Sequence, residues 1–213
     1  MNYLQLVQEL ARKADTSVPG TVTGLQGMSL KLVNWINQAW TEIQGEREDW
    51  LFMWKQSDPL VLVAGTRTYS LPIDARELVL NSVYINDGAT NSYARYMTYA
   101  DFSSNYRFAT QEGRPSVYTK RPDGQIEFYP IPDQAYNYAF DYFKKPVTLS
   151  ETTDVPAIDD YYHMAIVYKA LIHYGDFELD GDLITRATRA YNTYSTQMYN
   201  KYLPNVTFGE PLA

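Results

Sequence analysis

Cysteine is absent from the 213 residues of this chain, and histidine occurs only twice. Without cysteine there is no disulfide bond, no thiolate nucleophile and no sulfur ligand for a metal. His163 and His173 are ten positions apart on one predicted helix, a separation of about 15 Å along its axis. Because that distance prevents both side chains from binding one metal ion, we predict no metal site and no catalytic histidine.

An excess of basic charge and long apolar runs are also absent. The chain has 18 Lys and Arg against 25 Asp and Glu, a net charge of −7. A dedicated nucleic-acid binder presents a basic face, so we expect no specific DNA binding, although an acidic wall lets DNA slide past without holding it. No apolar run approaches the roughly 18 residues that cross a bilayer. The first residues lack a signal-peptide pattern, which favours synthesis in a cytoplasm and no membrane association.

Tyrosine is the residue in excess, with 20 copies against eight phenylalanines and four tryptophans. Its ring offers a large contact area and its hydroxyl tolerates water, so it suits buried and interfacial positions alike. The segment EFYPIPDQAYNYAFDYF, residues 127–143, concentrates such rings. Three interpretations remain open for this segment: a hydrophobic core, a platform for a ligand, or a protein–protein contact.

The second half of that segment alternates in the manner of a strand. The rings at every second position are Tyr136, Tyr138, Phe140 and Tyr142. A period of two predicts a half-buried strand with one aromatic face. The two prolines upstream predict a corner before this strand.

Apolar residues at three- and four-residue spacing predict helices at both ends of the chain. The first two cover residues 2–14 and about 29–48, with Gly45 as a point where the second one is expected to bend or pack tightly. A third helix reaches Tyr174 and a fourth ends near Tyr202. The third is apolar nearly all round, which predicts a central position covered by neighbouring helices or by another subunit.

Residues 58–148 instead contain short runs rich in β-branched and aromatic residues, which predict strands. The pairs Asp87-Gly88 and Asp123-Gly124 predict tight hairpins in which both central residues take positive φ. Residues 100–107 predict a short helix. The segments PSVYTK, QIEFYP and QAYNYAFDYFK predict three consecutive antiparallel strands.

The order of these elements predicts an α+β protein, a helical bundle built from N- and C-terminal helices with an inserted antiparallel β domain. The predicted boundaries place the N-terminal helices of the bundle at 1–57 and the inserted β domain at 58–148. The C-terminal helices follow at 149–203, and an extended tail occupies 204–213.

One acidic segment, DFELDGDLITRA, partly matches a calcium-binding loop between two helices. Asp176, Glu178, Asp180 and Gly181 stand at the first, third, fifth and sixth positions of such a loop. The twelfth position, which requires a bidentate glutamate, is Ala187. The missing ligand favours an acidic turn between helices, so we expect no calcium within Asp176–Asp182.

Acidic residues of the second helix allow an enzymatic alternative. Glu42 and Glu46 are a conceivable carboxylate pair for a muralytic glycosidase. Charged residues on one helix face are more often solvated surface, and the chain has no phosphate-binding loop or nucleophile elbow. We therefore predict a protein without catalytic residues or cofactors, and keep the glycosidase as a distant alternative.

The order of the segments resembles the head–tail adaptor proteins of tailed bacteriophages, also called head-completion or neck proteins. The resembling parts are residues 2–27, 32–53 and 113–175. They include an Asn-Trp-Ile-Asn-x-Ala-Trp helix, a Gly-Arg-Pro-Ser start, a Tyr-Pro-x-Pro-Asp corner and a Pro-x-Ile-x-x-Tyr-Tyr-His helix start. None of these is a catalytic signature, so the resemblance lies in their order.

The resemblance implies a structural protein of the virion neck, made in the cytoplasm of the bacterial host. Its implied partners are sister copies in a homo-oligomeric ring of twelve, the phage portal protein, and a tail nozzle or tail-completion protein. DNA is expected to pass through the ring without specific binding. A ring subunit meets two neighbours and two other components, which gives a reason for the excess of tyrosine.

Several residues are therefore expected at partner interfaces. They are Trp50, Phe52, Tyr136, Tyr138, Phe140, Tyr142, Leu203, Phe208 and Leu212. The last three lie in or next to the tail, which is expected to become ordered on a partner. An alternative from another class is a monomeric carbohydrate-binding module, in which the aromatic strand stacks on sugar rings.

Overall fold

A computed structural model describes residues 1–204 of the chain. The chain divides into two compact units. A helical unit combines Met1–Met53 with Pro146–Ala213, and a β unit comprises Trp54–Lys145. The chain therefore leaves the helical unit once, forms the β unit, and returns.

The described residues contain five α-helices and two short 3₁₀ helices. The α-helices are α1 Tyr3–Lys13, α2 Gly27–Gly45, α3 Tyr99–Tyr106, α4 His163–Glu178 and α5 Gly181–Tyr202; the 3₁₀ helices are Leu51–Met53 and Asp160–Tyr162. The predicted helices at 2–14, 29–48 and 100–107 are thus confirmed, with ends shifted by one to three residues. Helix α2 ends at Gly45 rather than bending there, since glycine is a weak helix former.

Helix α4 lies at the centre of the helical unit, where it packs against α1, α2 and α5. Its buried residues lie on more than one face, and include Ala165, Ile166, Val167 and Leu171. Gly175 allows the close approach of α5, because a Cβ atom at this position would lie 2.9 Å from Ile184 Cγ1. The neighbours within the chain therefore cover the helix that the sequence predicted to be central.

Two carboxamides of α2 hold the chain where it returns from the β unit. Asn37 Nδ2 donates to the Leu149 carbonyl and the Leu149 N–H donates back to Asn37 Oδ1, both at 2.8 Å. Two turns along the helix, the Gln44 side chain makes the same pair of bonds with Val147, both at 3.0 Å. An amide side chain is suited to this position because it donates and accepts at once. The final asparagine of the Asn-Trp-Ile-Asn motif therefore has a structural role.

Replacing Asn37 with aspartate is expected to lower the free energy of unfolding by about 1–3 kcal/mol. The carboxylate has the same shape but donates no hydrogen bond, so Leu149 O loses its donor. The Tyr3 hydroxyl, which accepts from Asn37 Nδ2 at 2.7 Å, loses one as well. Urea unfolding followed by circular dichroism measures the difference.

Asn34→Asp is the matched control, since Asn34 lies one turn earlier on the exposed face of α2. It introduces the same charge and is expected to change the free energy of unfolding by less than about 0.5 kcal/mol. Equal losses in the two variants would show that charge on α2, rather than the bonds to Leu149, determines the effect.

The β unit contains eleven short strands. They are β1 Trp54–Gln56, β2 Leu60–Leu62, β3 Thr68–Ser70, β4 Ala75–Leu78, β5 Tyr84–Asn86, β6 Asn91–Tyr93, β7 Arg95–Tyr96, β8 Val117–Lys120, β9 Gln125–Tyr129, β10 Tyr136–Ala139 and β11 Asp141–Lys144. They form three sheets with the orders β1-β11-β4, β2-β10-β5-β6 and β3-β9-β8-β7. The pairing is antiparallel except between β7 and β8.

The prediction of three consecutive antiparallel strands is correct for β8 and β9 and wrong for β10. Strand β10 pairs with β2 and β5 instead of β9. Pro130 and Pro132 follow β9, and proline has no N–H to continue a ladder, so the chain turns away at this corner. Strand β11 then joins a further sheet. At the change of sheet, Ser57 exchanges hydrogen bonds with the Phe140 backbone: the Ser57 N–H donates to Phe140 O, and Phe140 N–H to Ser57 Oγ.

Both Asp-Gly pairs lie in hairpins, between β5 and β6 and between β8 and β9. Only the glycines take positive φ, +91° at Gly88 and +82° at Gly124. The aspartates instead accept hydrogen bonds from N–H groups further along the turn. At Asp87 these bonds, from Thr90 and Ala89, lower the pKa of the carboxyl to about 2. The hairpins are confirmed, while the expectation of positive φ at both central residues is wrong.

The mixed α+β class with antiparallel sheets is confirmed. Within the part of the chain that the structure describes, each helix is too short or too polar to span a bilayer.

Candidate interaction surfaces

The four rings of the aromatic strand lie in the core of the β unit. Tyr136, Tyr138, Phe140 and Tyr142 are all buried and belong to one cluster with residues of the neighbouring strands. Tyr142 donates to Asp74 and Tyr136 donates to Asp133, so these hydroxyls have partners within the unit. Burial raises the pKa of Tyr138. The interpretation of this segment as hydrophobic core is therefore confirmed. The alternation of the rings causes their burial, because it directs every second ring to one face.

This burial also bears on the prediction that these four rings lie at a partner interface. As long as the β unit is folded, the four side chains have almost no surface left for a partner subunit. For the same reason they do not form a platform on which sugar rings stack.

Trp50 was also predicted at an interface and is only 1% exposed. Its ring stacks on Tyr199 with centroids 5.2 Å apart and an interplanar angle of 6°. Its indole N–H donates to Ile43 O at 2.8 Å. Trp50 therefore belongs to the core of the helical unit, next to the end of α2.

Phe52 and Leu203 are half-buried. The Phe52 ring stacks near Trp40 and Trp50 and meets Tyr202 edge-on, so a partner would reach only part of it. Leu203 directly follows α5. Phe208 and Leu212 lie outside the described residues.

Glu46, one of the two carboxylates of the enzymatic alternative, is the centre of a hydrogen-bond network. It pairs with Lys169 at 2.6 Å and accepts from the hydroxyls of Tyr191 and Tyr199. Burial, with the nearby carboxylate, raises the pKa of Tyr191, so that its hydroxyl stays protonated and donates. Glu42 pairs with His173 and Lys169. Both carboxylates thus bind side chains of α4 or α5, which is a structural arrangement.

His163 begins α4 and its side chain is completely buried. Its Nε2 atom lies 3.0 Å from Ile158 O, so the neutral ring is expected to carry its hydrogen there. Burial and the Met1 ammonium, 2.5 Å from Nδ1, lower the pKa of His163, an effect that the Asp160 carboxylate, 3.3 Å from Nδ1, partly opposes. The neutral form of the ring is therefore favoured in the folded chain.

The pKa of His163 is lower in the folded than in the unfolded chain. The free energy of unfolding is therefore expected to decrease as the pH is lowered below about 6.5. Below this pH, the unfolded chain binds a proton at His163 that the folded chain does not bind. The free energy of unfolding then decreases by up to about 1.4 kcal/mol per pH unit. The loss continues until the pH passes the folded pKa. Urea unfolding at pH 7.5 and 5.5 measures it.

His163→Gln is expected to reduce this pH dependence, since the amide still donates to Ile158 but does not titrate. His173→Gln is the matched control, since it makes the same substitution at the other histidine of the chain, whose side chain is partly exposed. An unchanged slope in His163→Gln would refute the assignment of the pH dependence to this ring.

An apolar turn that was not predicted from the sequence lies on the surface of the helical unit. Residues 176–182, here called the 176–182 turn, connect α4 to α5. Leu179 is 88% exposed at its centre, and Phe177 is half-exposed beside it. Exposed apolar residues that lie together mark candidate contact sites on a protein surface.

Leu179 is also unusual in its backbone conformation. It caps α4 in the left-handed region, with φ +55° and ψ +33°. A non-glycine residue loses about 1–2 kcal/mol there, which is why glycine or asparagine is usual at this position. Leucine therefore stabilises neither the cap nor the core. A residue that does not suit its local backbone conformation is typical of functional positions.

An aromatic cluster of Trp35, Tyr174 and Phe177 lies at the α4 end of the turn. The Trp35 ring meets Tyr174 edge-on at 5.9 Å and lies 5.6 Å from Phe177. The Lys31 ammonium lies 3.5 Å from the centre of the Phe177 ring. These contacts hold the Phe177 ring at the α4 end of the turn, two positions before Leu179.

Carboxylates surround the two apolar residues. Asp176, Glu178, Asp180 and Asp182 alternate with them along the turn, and all four are exposed. Asp180 caps α5 by accepting from the Leu183 N–H at 2.9 Å. Burial of Tyr174, with the charges of Glu178, Asp15 and Asp180, raises the pKa of its hydroxyl.

The segment that partly matched a calcium loop is therefore the end of one helix and the start of the next. Residues 1–204 contain no group of three or more His, Cys, Asp or Glu side chains placed to hold a metal ion. The alternation of acidic and apolar residues in DFELDGD is the signal for this surface in the sequence, and the prediction of an acidic turn rested on the acidic residues alone.

The family model described as SU10 adaptor protein matches residues 1–207. No curated protein matches the chain. The matched range includes the whole β unit and the 176–182 turn.

Proposed function

The chain belongs to the SU10 adaptor protein family, a family of phage head–tail adaptors, and on this basis we propose that it forms a ring between the portal and the tail of a virion. In this proposal, identical subunits, twelve in number, extend the channel through which DNA passes. The observation that carries it is the family match along nearly the whole chain. The virion neck is the corresponding location, after synthesis in the cytoplasm of the bacterial host.

The helical unit is proposed to act as a bundle that forms the wall of the ring, with the inserted β unit directed towards other components. The distribution of charge supports this division. The β unit has ten Lys and Arg and ten Asp and Glu, so the whole net charge of −7 belongs to the helical unit and its tail. A wall of this sign repels the phosphate backbone and lets DNA move without being held.

The proposed partners are the portal on one side and a tail nozzle or tail-completion protein on the other. Residues 203–213 are proposed to dock on one of them, with Phe208 and Leu212 as apolar anchors. A chain truncated after Leu203 is then expected to bind portal rings more weakly than the full chain. Equal binding of the two chains would exclude the docking of the tail, while leaving the ring intact.

The decisive experiment adds the purified chain to purified portal rings of the same phage. Native mass spectrometry is expected to find a complex with twelve added copies, and negative-stain images should show a ring on one end of the portal. A portal ring from an unrelated phage is the control. Binding of one or two copies without a closed ring would contradict the proposal.

A further inference from the structure

The β unit carries a groove whose chemistry is the reverse of that of the 176–182 turn. Its walls are the connection from β3 to β4, the hairpin between β8 and β9, and the chain after β11. Arg76, Lys120 and Lys145 line it together with one carboxylate, Asp123, and the apolar residues Leu71, Pro72 and Ile73. We refer to it as the basic groove. Three basic side chains thus lie beside apolar residues, in a chain whose net charge is −7.

Ile73 is the most exposed apolar residue of this groove, at 92%. It follows Pro72, and its carbonyl accepts from Lys145 Nζ at 2.9 Å. Lys120 pairs with Glu77 at 2.5 Å. The first bond holds the Lys145 ammonium beside Ile73, so apolar surface and positive charge are presented together there, whereas Glu77 balances the charge of Lys120.

The two surfaces carry charges of opposite sign, and they also share an arrangement. Each has a highly exposed aliphatic side chain, Leu179 on the turn and Ile73 at the groove, with charged residues beside it. An apolar centre within a charged rim is the usual arrangement of a protein interface. Rim charges of opposite sign guide the encounter and determine the register.

We propose that the 176–182 turn of one copy docks in the basic groove of a neighbouring copy. The proposal rests on the ring-forming function proposed above and specifies the contact between its subunits. Because the two surfaces are different parts of the same chain, the contact is heterologous, and repetition of a heterologous contact closes a ring when the rotation allows it. Two copies of the turn would instead bring eight carboxylates together, which disfavours a symmetric dimer at this site.

Disulfide trapping tests the contact, since the chain has no cysteine of its own. Leu179→Cys and Ile73→Cys are prepared as separate variants, mixed in equal amounts, assembled on portal rings and oxidised. The mixture is expected to give the 73–179 disulfide several-fold above the control pair. Since each variant carries one thiol, such a disulfide joins two copies and never two parts of one.

The control pair is Leu179→Cys with Phe108→Cys. Phe108 is 90% exposed in the same unit but does not line the groove. Its disulfide with residue 179 measures random collision between equally accessible thiols. An excess of 179–179 disulfides would overturn the proposal in favour of a symmetric contact, and 73–179 yields at the control level would overturn it altogether.

Charge reversal provides an independent measurement. Glu178→Lys and Lys145→Glu are each expected to lower the 73–179 disulfide yield on portal rings by about tenfold, because like charges then meet across the contact. A chain that carries both substitutions is expected to recover most of the yield. Failure of the double variant to recover, with circular dichroism showing that all variants are folded, would overturn the assigned pairing.

The readouts separate this inference from the proposed function. Rings on the portal without the 73–179 disulfide would overturn the contact and support the ring. The disulfide without rings on the portal would support the contact between copies and refute the proposed position on the portal.

Discussion

Replacing Trp50 with alanine is expected to lower the free energy of unfolding by about 3–5 kcal/mol. The side chain is buried against Tyr199 and Phe52, and its loss leaves a cavity that the rings around it fill only in part. The Ile43 carbonyl also loses its indole donor and keeps the longer hydrogen bond from the Glu46 N–H, at 3.3 Å. Urea or guanidinium unfolding measures the change, with circular dichroism as the signal because tryptophan fluorescence is itself altered.

Trp54→Ala is the control, because Trp54 lies four positions further on and is 45% exposed. It is expected to change the free energy of unfolding by less than about 1 kcal/mol. Trp50→Phe should lie between the two, since it keeps a ring and removes the N–H donor. If Trp50→Ala is as stable as the parent chain and instead fails to assemble on portal rings, Trp50 is an interface residue as the sequence suggested.

Replacing Glu127 with alanine is expected to destabilise the β unit by about 3–5 kcal/mol. Glu127 is 8% exposed and pairs with Arg67 at 2.7 Å and with Arg121 at 3.2 Å. Arg67 also donates to the carbonyl of Tyr106, at the end of α3, at 2.7 Å. Without the carboxylate, a mostly buried guanidinium has no counter-charge, and the link between α3 and strand β9 is weakened.

Asp123→Ala removes the other carboxylate that Arg121 pairs with, at 3.1 Å. Asp123 is exposed, so the loss is expected to be at most about 1 kcal/mol. Thermal and urea unfolding of both variants, at low and at moderate salt, test the comparison. A loss for Glu127→Ala as small as that for Asp123→Ala would show that the buried position of Glu127 contributes little.

Much of the secondary structure could be predicted because its signals are local. The apolar spacing of α1 and α2 depends on neighbours three or four positions away. The Asp-Gly pairs identified both hairpins by the same kind of local rule. The alternating rings of 136–142 also indicated which side chains would be buried, since a strand directs alternate side chains to opposite faces.

The partners of these elements could not be predicted, because they are distant in the sequence. Strand β10 follows β9 and yet pairs with β2 and β5, strands that begin more than fifty residues earlier. Asn37 and Leu149 are separated by 112 positions. Nothing near either residue indicates that a carboxamide on a helix will hold a returning chain.

The sequence by itself determined the α+β class, the family and most of the elements, because periodicity, turn pairs and motif order are properties of neighbouring residues. Only the tertiary structure decided which aromatic and apolar side chains face solvent. The rings of 136–142 and Trp50 have the composition of an interface and are buried, whereas Leu179 and Ile73 have the composition of a core and are exposed. Exposure depends on what packs against a side chain, and the residues that pack against it come from distant parts of the chain.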